Sequence, residues 1–218
     1  TSKLLSGLDV VITAGPTREA IDPVRFISNH SSGKMGYALA DAARDAGARV
    51  TIISGPVRLD QPEKVQVVQV ESASEMLAAS LEQQHNCDIF IAAAAVADYR
   101  PLQVAQQKIK KSGEQMQMSL VKNPDIVATI AQLDDSPFVV GFAAETQDVA
   151  IYARGKLVNK NLDMIIANDV SNTDIGFNSD NNSVTVFWGE NQQDFPRMAK
   201  SALSNELIDL IAHQYSAK

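Results

Sequence analysis

The feature that most constrains this chain is a series of short apolar runs rich in valine and isoleucine: "DVVIT", "RVTIIS", "KVQVVQV", "DIFIAAAAV", "FVVGFA", "DMIIAN" and "SVTVFW". Most are continuous rather than alternating, as strands buried on both faces require. Segments of helical period lie between them. In "GKMGYALADAARDAGARV", Met35, Ala38, Leu39, Ala42, Ala43 and Ala46 fall on one helical face, and Gly47 ends the run. "ESASEMLAASLEQQ" opens with Ser72 and Glu75 at capping-box spacing. "KNPDIVATIAQL" offers Asn123 as N-cap, Pro124 at the first helical position and Asp125 near the positive end of the dipole. Further helices are expected from about Thr146 to Asn161 and from about Arg197 to Tyr215. Strands alternating with helices predict a three-layer α/β/α, Rossmann-like domain with a mostly parallel sheet.

At 218 residues and 45% hydrophobic content, the chain can bury one substantial core, and a single domain over 1–218 is expected. No apolar run reaches the roughly 18 residues a membrane span needs, and "TSKLLSGLD" lacks the pattern of a signal peptide, so the expectation is a cytoplasmic protein. The lone Cys87 has no disulfide partner and no metal-ligand spacing around it, and reads as a buried structural thiol. A net charge of -7 argues against nucleic acid and acidic membrane surfaces as partners. Any anionic ligand must therefore meet local positive charge.

One segment breaks the alternation. "QQKIKKSGEQMQMSLVK" reads strand, turn, strand, with Met116, Met118 and Leu120 alternating against polar residues, and predicts a projecting antiparallel ribbon over about 106–121. Such a ribbon is not stable alone in water, so it should lie on this domain, a second subunit or a ligand.

Several constellations point to an anionic ligand at strand ends. "SNHSSGKMG" nearly spells a phosphate-binding loop, but Ser28 stands where Walker A requires glycine and Met35 where it requires a hydroxyl. Ser31, Ser32 and Gly33 nevertheless precede a helix whose free N–H groups favour an anion; either serine serves as a simple N-cap or as a ligand contact as well. The long connection from Gly15 to Ser32 holds too many stiff apolar residues for disorder and should pack while presenting polar groups such as Arg25 and Asn29. In "IAAAAVADYR", small residues at a strand end leave room for a ligand to approach the backbone. Asp98 there is a ligand contact, a helix cap or a partner for Arg100. The lysines of "KIKK", Lys108 to Lys111, form either a solvated edge or a lid over a phosphate. Lys156 and Lys160 share a helix face, Phe142 stacks on a base or fills core, and Glu145 binds a metal or caps a helix. Together these suggest a nucleoside triphosphate site. A nicotinamide-dependent oxidoreductase would need a glycine-rich turn directly after "VVIT", which is absent. A non-catalytic nucleotide-binding module remains the alternative.

The segments "ITAGPTREAIDPVRFISNHSSGKMG", "AAAVADYRP", "KIKK", "VKNPDIV", "GFAAET" and "ANDVS...GFNSDNN", in that order over about 9 to 188, resemble the phosphopantothenoylcysteine synthetase family, ligases of coenzyme A synthesis. The resemblance implies a Rossmann-like (ribokinase-like) fold and a two-step reaction. The carboxylate of 4'-phosphopantothenate attacks the α-phosphate of a nucleotide, and the amine of L-cysteine then displaces the nucleotide. It further implies CTP as the nucleotide, Mg²⁺ as cofactor, no flavin in this chain, and a homodimer formed through the ribbon. In many bacteria a flavin-dependent decarboxylase precedes this domain. Asn29 and Lys108 match the family's active-site asparagine and flap lysine. Its nucleotide site would comprise Ala92, Ala93, Ala94, Asp98, Lys108, Pro124, Asp125, Ile126, Val127, Phe142, Lys156 and Lys160, with Arg25, Ser31, Ser32 and Gly33 as candidates for a phosphate of the substrate. No metal ligand is singled out.

Overall fold

The fold is that of a computed structural model, which describes residues 3–171 and 179–218. The Gly176–Asn178 portion of the last motif lies outside the described residues. In chain order the elements are β1 (Asp9–Ala14), β2 (Glu19–Ala20), β3 (Phe26–Ile27), α1 (Lys34–Asp45), β4 (Arg49–Ser54), β5 (Gln66–Gln69), α2 (Ala73–Glu82), β6 (Ile89–Ala92), β7 (Tyr99–Pro101) and β8 (Leu120–Lys122). They continue as α3 (Ile126–Ala131), β9 (Phe138–Glu145), α4 (Val149–Asn159), β10 (Met164–Asp169), β11 (Asn181–Trp188), β12 (Asn191–Ala199) and α5 (Lys200–Ser216).

Eight strands form one sheet in the order β12-β11-β10-β9-β6-β1-β4-β5. From β5 to β10 every neighbouring pair is parallel, and β11 and β12 close one edge antiparallel. The chain runs outward from β1 through β4 to β5, then returns to the other side of β1 and runs outward again through β6, β9 and β10. This reversal between β1 and β6 is the switch point of a doubly wound sheet, where the carboxyl ends of the strands diverge and leave a crevice.

Burial on both faces explains the unbroken apolar runs. Val10, Ile12 and Ala14 of β1 pack into the core shared with Leu39 of α1 and Leu203 and Leu207 of α5. Val11 faces the opposite layer with Met76 of α2 and Ile130 of α3, and Ala153 and Leu157 of α4 cover Ala143 and Ile165 beside it. The helical face predicted for α1 is buried at Leu39, Ala42, Ala43 and Ala46, and burial widens to Gly36, Tyr37 and Ala40 because α1 packs on α5 as well as on β1 and β4. Gly36 is required by that approach, since a Cβ built there would lie 2.6 Å from the Ala14 Cβ.

Three local expectations are corrected. Neither Ser31 nor Ser32 is the N-cap of α1; that position is Gly33, with φ 78°. The N-cap of α3 is Asp125, whose side chain accepts from the Ala128 N–H, and not Asn123. Pro124 therefore precedes the cap instead of opening the helix, and the Asn123 side chain is engaged elsewhere. Its amide nitrogen donates to the Ala97 carbonyl at 2.7 Å. The third correction concerns the ribbon. The two arms expected over 106–121 do not pair with each other across "SGE": 102–119 contains no strand, and β8 pairs antiparallel with β7. Met116, Met118 and Leu120 are exposed, and a two-stranded ribbon with nothing to cover its apolar face is at best marginal. Among the described residues no helix is long and apolar enough to cross a membrane.

Candidate functional site

At the switch point the structure opens a cavity of about 640 Å³. Thr13 at the end of β1 and Ala92 and Ala94 at the end of β6 form its floor, and the Val96–Tyr99 loop and Lys122 to Asn123 form one wall. The start of α3, Pro124 to Val127, with Phe142 of β9 and Lys156 and Lys160 of α4, completes it. The floor is held by hydrogen bonds rather than side-chain bulk: the Ala94 N–H donates to Thr13 Oγ1 at 3.3 Å and the Ala93 N–H to the Thr13 carbonyl at 3.1 Å. Small side chains there leave the backbone open to a flat ligand. Three lysines against two aspartates line the cavity, which supplies local positive charge within an acidic chain.

Each charged group has a defined setting. Lys156 Nζ donates to Glu145 Oε1 at 2.6 Å, so Glu145 is a lysine partner rather than a helix cap. Lys160 pairs with Asp125 at 2.9 Å. Arg100 donates to the Lys122 carbonyl and to Asn123 Oδ1, both at 3.0 Å, and not to Asp98, whose backbone carbonyl accepts from the Asn123 N–H at 2.8 Å. Asp98 is exposed at the rim of the cavity. The Lys160–Asp125 pair is partly solvated, so an incoming anion can exchange for Asp125 at small cost, whereas Glu145 is more covered and holds Lys156 more firmly.

A second recess, about 460 Å³, is lined by the connection that follows β1 and by the loop after β4. Asn29, Ser31, Ser32 and Lys34 line it with Arg18, Phe26 and Arg58, and among the described residues no carboxylate is in its lining. Arg18 stacks over the Phe26 ring with its guanidinium 4.5 Å from the centroid. Asn29 reaches from this recess toward the cavity lining: its amide nitrogen donates at 2.7 Å to the carbonyl of Ala95, which lies between the lining residues Ala94 and Val96, while its oxygen accepts from the Ser31 N–H at 3.1 Å. Thr17 braces the same wall, accepting from the Ala97 N–H at 2.9 Å. The long connection expected to pack does so, with Thr17, Glu19 and Asp22 buried.

The structure thus gathers Ala92, Ala94, Asp98, Pro124, Asp125, Ile126, Val127, Phe142, Lys156 and Lys160 around one cavity and Asn29, Ser31 and Ser32 around its neighbour. Ala93 points to the opposite layer, against the core beneath α1 and α5. Gly33 lies buried under the second recess, and Arg25 is paired with Asp22. Lys108 is exposed in the irregular segment and does not line the cavity. Sequence pattern does not single out Thr13, Tyr99 and Lys122 as lining residues, because the β1/β6 pairing brings Thr13 beside Ala92 and the β7/β8 pairing brings Tyr99 beside Lys122. A larger hollow of about 940 Å³ at the opposite ends of the strands is a weaker candidate. Its arginines are already paired, Arg49 with Asp9 at 2.7 Å and Arg44 with Asp41 and Asp45.

Residues 5–215 match the family described as the DNA/pantothenate metabolism flavoprotein C-terminal domain. The chain belongs to this family. Among relatives, it is 57% identical over 215 residues to the coenzyme A biosynthesis bifunctional protein CoaBC of Vibrio cholerae, covering 97% of this chain and 54% of that protein. It is 53% identical over 221 residues to the CoaBC of Escherichia coli, covering 98% and 54%. The chain therefore spans about half the length of the curated relatives it matches. Among solved structures, the crystal structure of the C-terminal domain of a CoaBC protein superposes with a TM-score of 0.86 at 40% identity, covering 100% of both chains. This family membership agrees with the resemblance drawn from the six sequence motifs and with the doubly wound fold.

Cys87 has no part in either cavity. Burial pushes its thiol up to about 12, and its Sγ lies 3.4 Å from the Ile89 carbonyl. The thiol is therefore protonated at neutral pH and a poor nucleophile.

Proposed function

We propose that this chain is the ligase half of such a bifunctional protein and joins 4'-phosphopantothenate to L-cysteine with cleavage of CTP. The observation that carries this reading is a strand-end cavity lined by three lysines and a recess lined by Arg18 and Arg58, linked by the hydrogen bond from Asn29 of the recess to the carbonyl of Ala95, which lies between Ala94 and Val96 of the cavity lining. A reaction that activates one anion with another needs two such spaces side by side.

The nucleotide occupies the switch-point cavity. Its base stacks against Phe142 or the Ala92–Ala94 backbone, and its phosphates draw Lys156 and Lys160 from their carboxylate partners. The second recess, with Arg18 and Arg58, takes the other anionic substrate. A carboxylate oxygen of the substrate attacks the α-phosphorus, the bond to the β-phosphate oxygen breaks, and pyrophosphate leaves. The cysteine amine then adds to the acyl carbon, loses a proton and expels CMP, which carries away one former carboxylate oxygen. Asn29 donates a hydrogen bond to the acyl phosphate as charge develops, a contribution of about 3 kcal/mol for a single preorganised donor. Lys108 adds positive charge once its segment covers the cavity.

Among the described residues no group of three or more His, Cys, Asp or Glu side chains is placed to hold a metal ion alone. Magnesium commonly binds through one or two carboxylates together with substrate phosphates, and Asp98 and Asp125 at the cavity fit that mode. When bound, the ion would neutralise triphosphate charge. The exposed Leu102, Val104, Met116 and Met118 give the irregular segment an apolar side, which supports pairing of two copies through it.

Incubation with CTP, Mg²⁺ and phosphopantothenate, with and without cysteine, tests the reading. Cysteine-dependent formation of the amide with one pyrophosphate per product is expected. Pyrophosphate release with neither an acyl-nucleotide nor a cysteine adduct would sink it and favour a nucleotide-binding module.

A further inference from the structure

We infer that Asp22 is a positioning residue, holding the Lys108 segment in place through the backbone of Ile109. The Asp22 side chain is wholly covered, with 0% exposed. Its Oδ1 accepts from the Val24 and Arg25 backbone N–H groups, each at 2.8 Å. Its Oδ2 accepts from Arg25 Nε and Nη2 and from the Ile109 N–H, the last at 3.1 Å. Arg25 Nη2 in turn donates to the Ile109 carbonyl at 2.6 Å. Both polar groups of Ile109 are thus gripped by one ion pair, one residue from Lys108. The Ala105 N–H adds a tie to the Ile21 carbonyl at 3.0 Å.

Only an ionised carboxylate satisfies this arrangement, because both oxygens accept and neither position tolerates a donor. An asparagine in either orientation turns its NH₂ toward donors, either Val24 and Arg25 or Ile109 and Arg25. The clamp itself is independent of the ligase reading, whereas its effect on turnover rests on that reading.

The test is limited trypsin digestion of the purified protein, since Lys108, Lys110 and Lys111 are exposed cleavage sites in the clamped segment. In Asp22→Asn, cleavage after these lysines should be about tenfold faster, the loss expected for one charge-assisted hydrogen bond, while the cutting of other sites stays near wild type. Turnover of Asp22→Asn/Lys108→Ala should be no lower than that of Lys108→Ala, because the two act as one unit. Unchanged cleavage overturns the clamp, and losses that multiply in the double variant overturn the positioning role. Should Asp22→Asn fail to fold, Arg25→Gln removes the limb to the Ile109 carbonyl and carries the same cleavage expectation. Fast cleavage in a protein with no ligase activity leaves the clamp standing and removes the ligase reading alone.

Discussion

The switch-point cavity proposed for the nucleotide and the segment 102–119 proposed to cover it differ in physical state. The cavity is walled by the ends of β1, β6 and β9 and by α3 and α4, each fixed by a core in which Ile12, Ile91, Val139 and Leu157 are fully or nearly buried. The segment has no strand, exposes Leu102, Val104 and Met116, and is tied to the domain through Ile21, Asp22 and Arg25. A sheet edge can hold a nucleotide at one place without reorganisation. Under the proposed function, covering it afterwards and excluding water falls to a segment held by a few defined ties rather than by a core.

The sharpest way to break this contrast is to remove the two side chains assigned to chemistry. Asn29→Ala should lower kcat by about 100- to 1,000-fold, as loss of a preorganised donor does. Its two hydrogen bonds are exposed, so Tm should fall by only a few degrees. Lys108→Ala should lower turnover strongly while leaving Tm unchanged, because Lys108 is exposed and packs on nothing in the core. Steady-state kinetics beside a thermal melt checks both; parallel loss of activity and stability would make either residue structural.

A middle-sized effect is expected on the rigid side. Lys160→Ala should raise KM for CTP about tenfold with kcat preserved, as when one charged hydrogen bond to a bound phosphate is lost. Stability should barely move, since the pair with Asp125 is partly solvated. A fall in kcat with KM unchanged would transfer Lys160 from binding to chemistry.

The smallest effect concerns Cys87. Replacement by alanine should leave turnover intact, and iodoacetamide should react slowly at pH 8, because burial holds the thiol protonated. The folded protein binds this proton more tightly than the unfolded chain, so its stabilising contribution is full below the ordinary thiol range and is lost as pH rises toward about 12. Relative to Cys87→Ala, the wild type should therefore lose stability above about pH 9 in denaturant titrations.

Much of the rigid half was legible because its determinants are local. Continuous valine and isoleucine runs mark doubly buried strands, Ser72 caps α2 as its spacing with Glu75 implied, and the small residues of "IAAAAVADYR" reach the cavity floor. What sequence pattern hides is long-range. β12 escaped notice because it is a polar edge strand in which Phe195 is buried, Gln192, Gln193 and Asp194 face outward and Pro196 breaks the strand pattern. The ribbon differs from expectation because period-two alternation in Met116, Met118 and Leu120 reports a face that wants covering, and among the described residues that face stays exposed. Asp22 and Arg25 looked like ordinary loop charges, and their grip on Ile109 spans more than 80 residues of sequence.

The acyl-nucleotide intermediate is the centre of this account, and isotope transfer tests it most directly. With ¹⁸O in both carboxylate oxygens of phosphopantothenate, mass spectrometry of the products should find one ¹⁸O in CMP and one retained in the amide. Unlabelled CMP, with the label instead in inorganic phosphate or pyrophosphate, would contradict attack at the α-phosphate and with it the roles given to both cavities.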